Sequence, residues 1–395
     1  MRVTHVITRL IVGGAQENTV ASVLGLQNKP GLEVDLISGP SIGPEGSLVD
    51  RLGANVTLNQ PGSPLLIVPD LVRAVHPVKD FLALRNLEKI FRQTKPQIVH
   101  THSGKAGVLG RSAAARAGVP IIIHTIHGPS FGTFQGALAN WIFRGAERRA
   151  ARHTTHFVTV ADAMTEQYLA AGIGKREQFT KVLSGFPLEP LLSAKNDLEL
   201  RRRLGLSPDD IVIGKIARLF KLKGHDDLFS IAPELVKQNP SIRFLLVGDG
   251  EWRERFGRRT AELGLQKHFV FTGLVPPEQV PQFVGIMDLL VHLSTREGLP
   301  RALPQALAAA KPVIAYDCDG AREVCFDNET GFLIRPGDLK SLTEKLLRLA
   351  GDPALREQFG KRGQQFVREH FGVERMVDSL YSLYQKLAAE RGIRA

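Results

Sequence analysis

The chain has 395 residues, 43% of them hydrophobic and 23% charged, with two cysteines and a net charge of +11. That length exceeds one ordinary core and suits two lobes, while the composition excludes a disordered chain or a disulfide-stapled scaffold. Residues 1–187 hold 20 Lys and Arg against 12 Asp and Glu, and the remainder 31 against 28, so the first half is the one expected to face an anionic membrane surface, acceptor or nucleic acid. Aromatics are sparse at 7% and no zinc-finger, RRM or helix-turn-helix pattern accompanies the charge, which makes nucleic acid the weakest of the three.

The opening MRVTHVITRLIVGGAQ reads as a first strand and not as a secretion signal: His5, Thr8 and Arg9 interrupt the apolar run, and no small-residue cleavage site follows. No stretch reaches the roughly 18 uncharged apolar residues needed to span a bilayer. With Cys318 and Cys325 expected to be reduced, a cytoplasmic location is expected, with contact to the inner membrane face through the basic half. Short apolar runs then alternate with helical patterns: VTHVIT, EVDLIS, QIVHTH, VPIIIHT and HFVTV, followed by IVIGKIA, IRFLLVG, KHFVFTG, MDLLVHL and PVIAY. This alternation predicts an α/β protein with parallel sheets wrapped by crossover helices, the strands buried on both faces. Gly185, Pro187 and Pro190 interrupt the pattern, placing a lobe boundary there: a first lobe over 1–187 and a second over 188–370. Beyond Gly331–Ile334 the chain reads as helical, and its final segment, 371–395, is expected to pack back on the first lobe.

Ligands of doubly wound sheets bind beyond the carboxyl ends of strands, so the candidates lie just after strands. Gly13 and Gly14 follow the first strand, where an anion can approach bare amides; a tight turn needing glycine is an equal reading. Arg218 and Lys223 follow IVIGKIA, where two fixed cations can neutralise a leaving diphosphate; a solvated basic loop is the alternative. Glu297 and Gln305 follow MDLLVHL, with a helix predicted to begin near Pro300 and to carry Gln305 two turns in. His100, His102, His124 and His127 sit at strand ends; lacking a nearby cysteine or third ligand they are not expected to bind metal, and His127, beside Gly128, reads as a hydrogen-bonding group for a ligand. Asp317-Cys318-Asp319 has the spacing of a metal clamp but is expected to serve a turn. The run from Trp141 to Arg152 is expected to pack on its own sheet with a solvated basic face, a membrane-surface helix being the alternative.

Taken together, these residues resemble family 4 of the retaining glycosyltransferases, which have the two-Rossmann GT-B fold. The landmarks are GGAQ at 13–16, VHTHSGKAGVLGRSAA at 99–114, IIHTIHG at 122–128, Arg218 with Lys223, FLLVGDGEWRE at 244–254, FTGLV at 271–275, the 294–307 segment and NETGFLIRPGD at 328–338. The resemblance implies two lobes facing a cleft, the first binding an acceptor and the second a nucleotide-sugar. It implies transfer from a nucleoside-diphosphate sugar, UDP ahead of GDP, to a glycan or lipid-linked hydroxyl in cell-surface polysaccharide or glycolipid synthesis, with neither metal nor cofactor. Arg218 and Lys223 would bind the phosphates, Glu297 the sugar and Gln305 the ribose; His127 would lie beside the transferred sugar and Gly13-Gly14 near the diphosphate. Gly248, Gly298, Leu299, Pro300 and Arg301 would line the donor site. One departure stands out: the family usually has Glu where this chain has Gln305, which keeps an acceptor oxygen but loses the charge. A nucleotide-sugar 2-epimerase on the same fold, or a binding protein without turnover, are the alternatives, and acceptor recognition is expected from loops 41–80 and 128–140.

Overall fold

The computed structural model describes residues 1–41, 46–52, 64–132 and 134–393; parts of the two expected acceptor loops lie outside them. The chain forms two compact units, Met1–Phe186 with Val373–Ala395, and Pro187–Gly372.

The first unit is built on seven strands, β1 (Arg2–Ile7), β2 (Glu33–Ser38), β3 (Leu65–Ile67), β4 (Ile98–His102), β5 (Ile121–Ile126), β6 (His156–Thr159) and β7 (Phe179–Lys181). They lie in the order β3-β2-β1-β4-β5-β6-β7, and the pairings are parallel. β4 and β5 are buried along their whole length, the apolar Ile98–Val99 and Ile121–Ile123 at their starts giving way to buried His and Thr toward their carboxyl ends. β3 and β7, three residues each at the two edges, are too short to register as apolar runs and were not among the predicted strands.

The second unit holds β8 (Ile211–Ile216), β9 (Ile242–Val247), β10 (Phe269–Gly273), β11 (Leu289–His292), β12 (Val313–Tyr316) and β13 (Gly331–Ile334), ordered β10-β9-β8-β11-β12-β13. Chain order reverses direction between β8 and β11, as it does between β1 and β4 in the first unit. Each sheet therefore has the doubly wound arrangement, with a crevice at the reversal.

The helix Val373–Glu390 belongs to the first unit and buries Met376, Val377, Leu380, Leu383, Tyr384 and Leu387 on one face. Each such apolar side chain removed from water contributes about 1.5–3 kcal/mol. It packs on the helix Gly14–Gln27, where a Cβ on Gly25 would come within 2.3 Å of Val377 Cγ2; a bare glycine is what allows the two helices to approach.

The helix Ala137–Ala151 departs from expectation. Leu138, Trp141 and Ile142 are exposed, at 72%, 75% and 49%, while Arg144 and Arg148 reach back to the Ala171 carbonyl at 3.2 and 2.9 Å. The cause is Glu147, fully buried in an ion pair with Arg111 at 2.6 Å. Together with buried Ala150 it fixes the inward face and turns the apolar N-terminal half of the helix outward.

Candidate functional site

In the second unit Lys223 and Glu297 meet beyond the carboxyl ends of β8 and β11, where strand order reverses. After β8 the backbone takes left-handed φ values of 70° at Leu222 and 64° at Gly224. The Leu222 carbonyl accepts from the Thr295 amide at 3.0 Å and the Ser294 hydroxyl at 3.2 Å. A Cβ on Gly224 would stand 2.0 Å from the Leu293 carbonyl oxygen, so glycine is required for this loop to lie against the end of β11. Lys223 is held between these two fixed residues, and its ammonium donates to the Glu297 carboxylate. The Glu297 amide in turn donates to Asp319 Oδ2 at 2.8 Å. Glu297 is thus fixed at both its backbone and its side chain.

The surroundings explain its charge state. Burial pushes the Glu297 carboxyl up, but Lys223, His292 and the hydrogen bonds from Lys223 and Ser294 outweigh it and hold the group below its ordinary range. His292 Nε2 lies 3.9 Å from Glu297 Oε1, yet burial takes this imidazole down to about 3, so it is neutral. Lys215 of β8 is 1% exposed, and its Nζ makes no hydrogen bond among the described residues. Burial, reinforced by Lys223 and opposed by Asp227 and Glu297, brings it down to about 7. Arg218 is exposed, with its guanidinium 5.6 Å from the Phe220 ring centroid; its carbonyl accepts from His225 Nε2 at 3.1 Å. The backbone is anchored while the fork stays open to an anion.

Gly248 has a φ of 132°, and a Cβ there would stand 2.4 Å from the Ala217 carbonyl oxygen, so β9 needs glycine to end beside β8. Gly298 accepts at its carbonyl from the Gly320 amide at 3.0 Å, and Leu299, Pro300 and Arg301 follow as a turn. The helix begins at Ala302, two residues later than predicted, and ends at Ala308. Arg301 caps it, and the Gln305 amide donates to the Arg301 carbonyl at 3.2 Å, which places Gln305 one turn into the helix instead of two. Pro300 still precedes the helix but does not start it. The Asp317–Asp319 pair behaves as a turn: Asp317 pairs with Arg322, and Asp319, at a left-handed φ of 49°, opens a short 3-10 turn.

In the first unit, Gly13 precedes the helix Gly14–Gln27 with a φ of 171°. That is extended backbone open to any residue, and an added Cβ would meet only the flexible Gln16 side chain at 2.8 Å. A tight turn is therefore not what calls for Gly13. The four predicted histidines are joined by two groups that sequence reasoning missed, His5 and Tyr384. His5 Nδ1 lies 2.9 Å from His102 Nε2, and His102 Nδ1 lies 3.0 Å from His127 Nε2. Tyr384 Oη touches His100 Nδ1 and His5 Nε2, and His100 Nε2 is 2.6 Å from Thr125 Oγ1. His124 stands apart, bonded to Thr101 at 2.9 Å. His5, His100 and His102 bring ring nitrogens within 4.8 Å of one another. All six of their nitrogens make hydrogen bonds within the group. Burial lowers each of them, His5 to about 3 and the half-buried His127 to about 4. No sequence motif marks His5 or Tyr384; the signal for Lys215 and His292 is only a polar residue within an apolar strand, and for His225 only a polar residue at the start of a helix.

Residues 13–180 match the family model described as "Glycosyl transferase 4-like domain" and residues 196–366 that described as "Glycosyl transferases group 1". The chain is 27% identical over 389 residues to the UDP-Gal:alpha-D-GlcNAc-diphosphoundecaprenol alpha-1,3-galactosyltransferase of Escherichia coli, covering 97% of this chain and 96% of that one. It is 26% identical over 316 residues to the capsular polysaccharide biosynthesis glycosyltransferase CapM of Staphylococcus aureus, covering 79% and 82%. Anabaena HepE, solved with UDP, shares the fold at a TM-score of 0.79 and 19% identity, covering 98% of this chain and 100% of the other. The sucrose-phosphate synthase of Thermosynechococcus elongatus does so at 0.82 and 19%, covering 98% and 99%.

Proposed function

This chain belongs to the group 1 glycosyltransferases, with the GT-B fold, and on that premise we propose that it moves a sugar from a nucleoside-diphosphate donor, UDP ahead of GDP, to a hydroxyl of a glycan or lipid-linked acceptor with retained anomeric configuration. The observation that carries this reading is the Lys223–Glu297 pair at the β8–β11 reversal, together with the exposed Arg218 in the loop after β8 and Lys215, which makes no hydrogen bond among the described residues. Lys223 has three N–H donors and gives one to Glu297; with Arg218 it binds the diphosphate and stabilises the charge that grows as the bond from the anomeric carbon to the phosphate oxygen breaks. The acceptor oxygen bonds to the same face of that carbon, and its proton passes to the departing phosphate oxygen. Glu297 holds the sugar, Gln305 the ribose, and His127 stands beside the transferred ring. This scheme uses no metal. The relative in Escherichia coli, whose name carries a UDP-sugar and a diphosphoundecaprenol acceptor, supports the donor base and a cell-surface product. A 2-epimerase would need a second carboxylate at the sugar, and Asp319 already accepts the Glu297 amide.

Thermal melting tests the donor site. UDP, or else GDP, at a hundredfold excess over Kd should stabilise the protein by about 2.7 kcal/mol without added metal, and Arg218→Ala with Lys223→Ala should abolish the gain. If no nucleoside diphosphate shifts the melt, the assignment fails. Slow hydrolysis across a panel of sugar nucleotides identifies the sugar.

The same proposal extends to an anionic inner membrane face. No helix among the described residues is long and apolar enough to cross a membrane. Exposed Val78, Phe81, Trp141 and Ile142, near Lys79 and Arg149, give the first unit apolar side chains beside cations on two helices that both pack against Gly104–Arg116. Sedimentation with vesicles containing anionic lipid, lost in Trp141→Ser with Phe81→Ser, is the expected result; equal binding by that variant would remove this surface from consideration.

A further inference from the structure

Five hydrogen bonds of the first unit link its buried polar groups in one unbranched chain: Thr125, His100, Tyr384, His5, His102, His127. Its members come from β1, β4, β5, the segment just after β5 and, through Tyr384 alone, the C-terminal helix. Each interior imidazole has one nitrogen toward each neighbour, so one must donate and the other accept, and the phenol must donate to one histidine and accept from the other. The chain therefore has two proton orderings, opposite in direction, and nothing between.

The geometry favours one. An O–H donor makes a shorter bond than an N–H donor; Tyr384 Oη, at 2.5 Å from His100 Nδ1 and 3.3 Å from His5 Nε2, fits at both of its contacts a phenol that donates to His100, while the 2.6 Å Thr125–His100 contact alone fits the reverse order. The phenol proton thus points to His100, and the remaining protons follow. His5 donates from Nε2 to Tyr384, His102 from Nε2 to His5, and His127 from Nε2 to His102; at the other end His100 donates from Nε2 to Thr125. The Thr125 hydroxyl proton is then directed elsewhere, and Thr125 and His102, with Asn18 and Ser22, line a cavity of about 10 Å³, close to what one water requires.

We propose that Tyr384, His5 and His102 are positioning residues for His127, fixing its ring and its tautomer so that Nδ1 stands as a bare acceptor toward a donor hydroxyl. The proposal rests on the reading that His127 faces the transferred sugar. A hydroxyl in the C-terminal helix, 257 positions from His127 in the chain, thereby determines which atom that histidine offers. Burial keeps the chain uncharged at neutral pH, with the Tyr384 phenol pushed well above its usual range.

Nitrogen-15 NMR of histidine-labelled full-length protein tests this without any substrate. His5, His100, His102 and His127 should all show the Nε2–H tautomer. In Tyr384→Phe, His127 should move toward an averaged signal while a remote histidine such as His268 does not move. On a donor identified by the hydrolysis panel, the variant should lose about tenfold in kcat, with nucleotide Kd within about twofold of the parent. An Nδ1–H tautomer at His127 in the parent protein overturns the proposal, as does an unchanged His127 signal in the variant. So does stoichiometric zinc with metal-shifted signals from His5, His100 and His102. Should the parent bind no nucleoside diphosphate, the transferase reading fails while the tautomer measurement still decides the chain.

Discussion

Both sheets reverse strand order, and at each reversal the protein buries a polar cluster, yet the two clusters are opposites. Around β1 and β4 every imidazole nitrogen of His5, His100 and His102 has a partner and the group is neutral. Around β8 and β11 the cluster is charged, and Lys215 lies buried without a hydrogen bond among the described residues. An unsatisfied buried cation costs stability that a satisfied neutral network does not. The same topology therefore supplies one cluster that is satisfied at rest and another that keeps a buried amine without a hydrogen bond among the described residues.

The comparison is most exposed to Glu297→Gln. Removing this charge while keeping the shape should lower kcat by roughly 10²-fold or more, measured on the donor that the panel identifies; a loss under tenfold would make the Lys223–Glu297 pair structural. Next come paired substitutions with opposite expected signs. Lys215→Met should raise the melting temperature at pH 7, and His100→Leu, which strands Tyr384 and Thr125, should lower stability by about 1–3 kcal/mol for each stranded group.

Their pH profiles should differ as well. Lys215 falls to about 7 in the folded protein from an ordinary value of 10.5, so the unfolded chain binds the extra proton between those values. Stability should accordingly rise with pH across that window by up to about 1.4 kcal/mol per unit, and Lys215→Met should flatten the rise. The histidines are also lowered, from 6.5, His5 to about 3, so their contribution is fully present above 6.5 and is lost on acidification below it. If Lys215→Met destabilises, the second cluster is not an unfinished one. The smallest effect expected is from Gln305→Glu, whose restored charge toward ribose should tighten nucleotide binding by about fivefold, on the order of 1 kcal/mol; weaker binding would mean Gln305 suits a different donor geometry.

The central strands and the loops after β8 and β11 were readable because each depends on a local pattern: a short, mainly apolar run, then a cation or carboxylate a few residues beyond it. What escaped depends on burial or on distant pairing. Lys215 looks like any polar residue within an apolar strand until its surroundings are known. His5 and Tyr384 meet across 379 positions, and no local spacing encodes such a contact. The outward turn of Trp141 followed from one ion pair, Arg111 with Glu147, that a helical pattern does not contain.

The helix that carries Tyr384 also bears on synthesis. Residues 1–186 leave the ribosome first but lack the helix Val373–Glu390 until the whole intervening unit has been made. At roughly 5–20 residues per second that is a delay of about 10–40 s. During it the side chains that will meet Met376, Val377 and Leu380 face water. The unit begun first is the one finished last, and the nascent chain over that interval is where a chaperone would be needed.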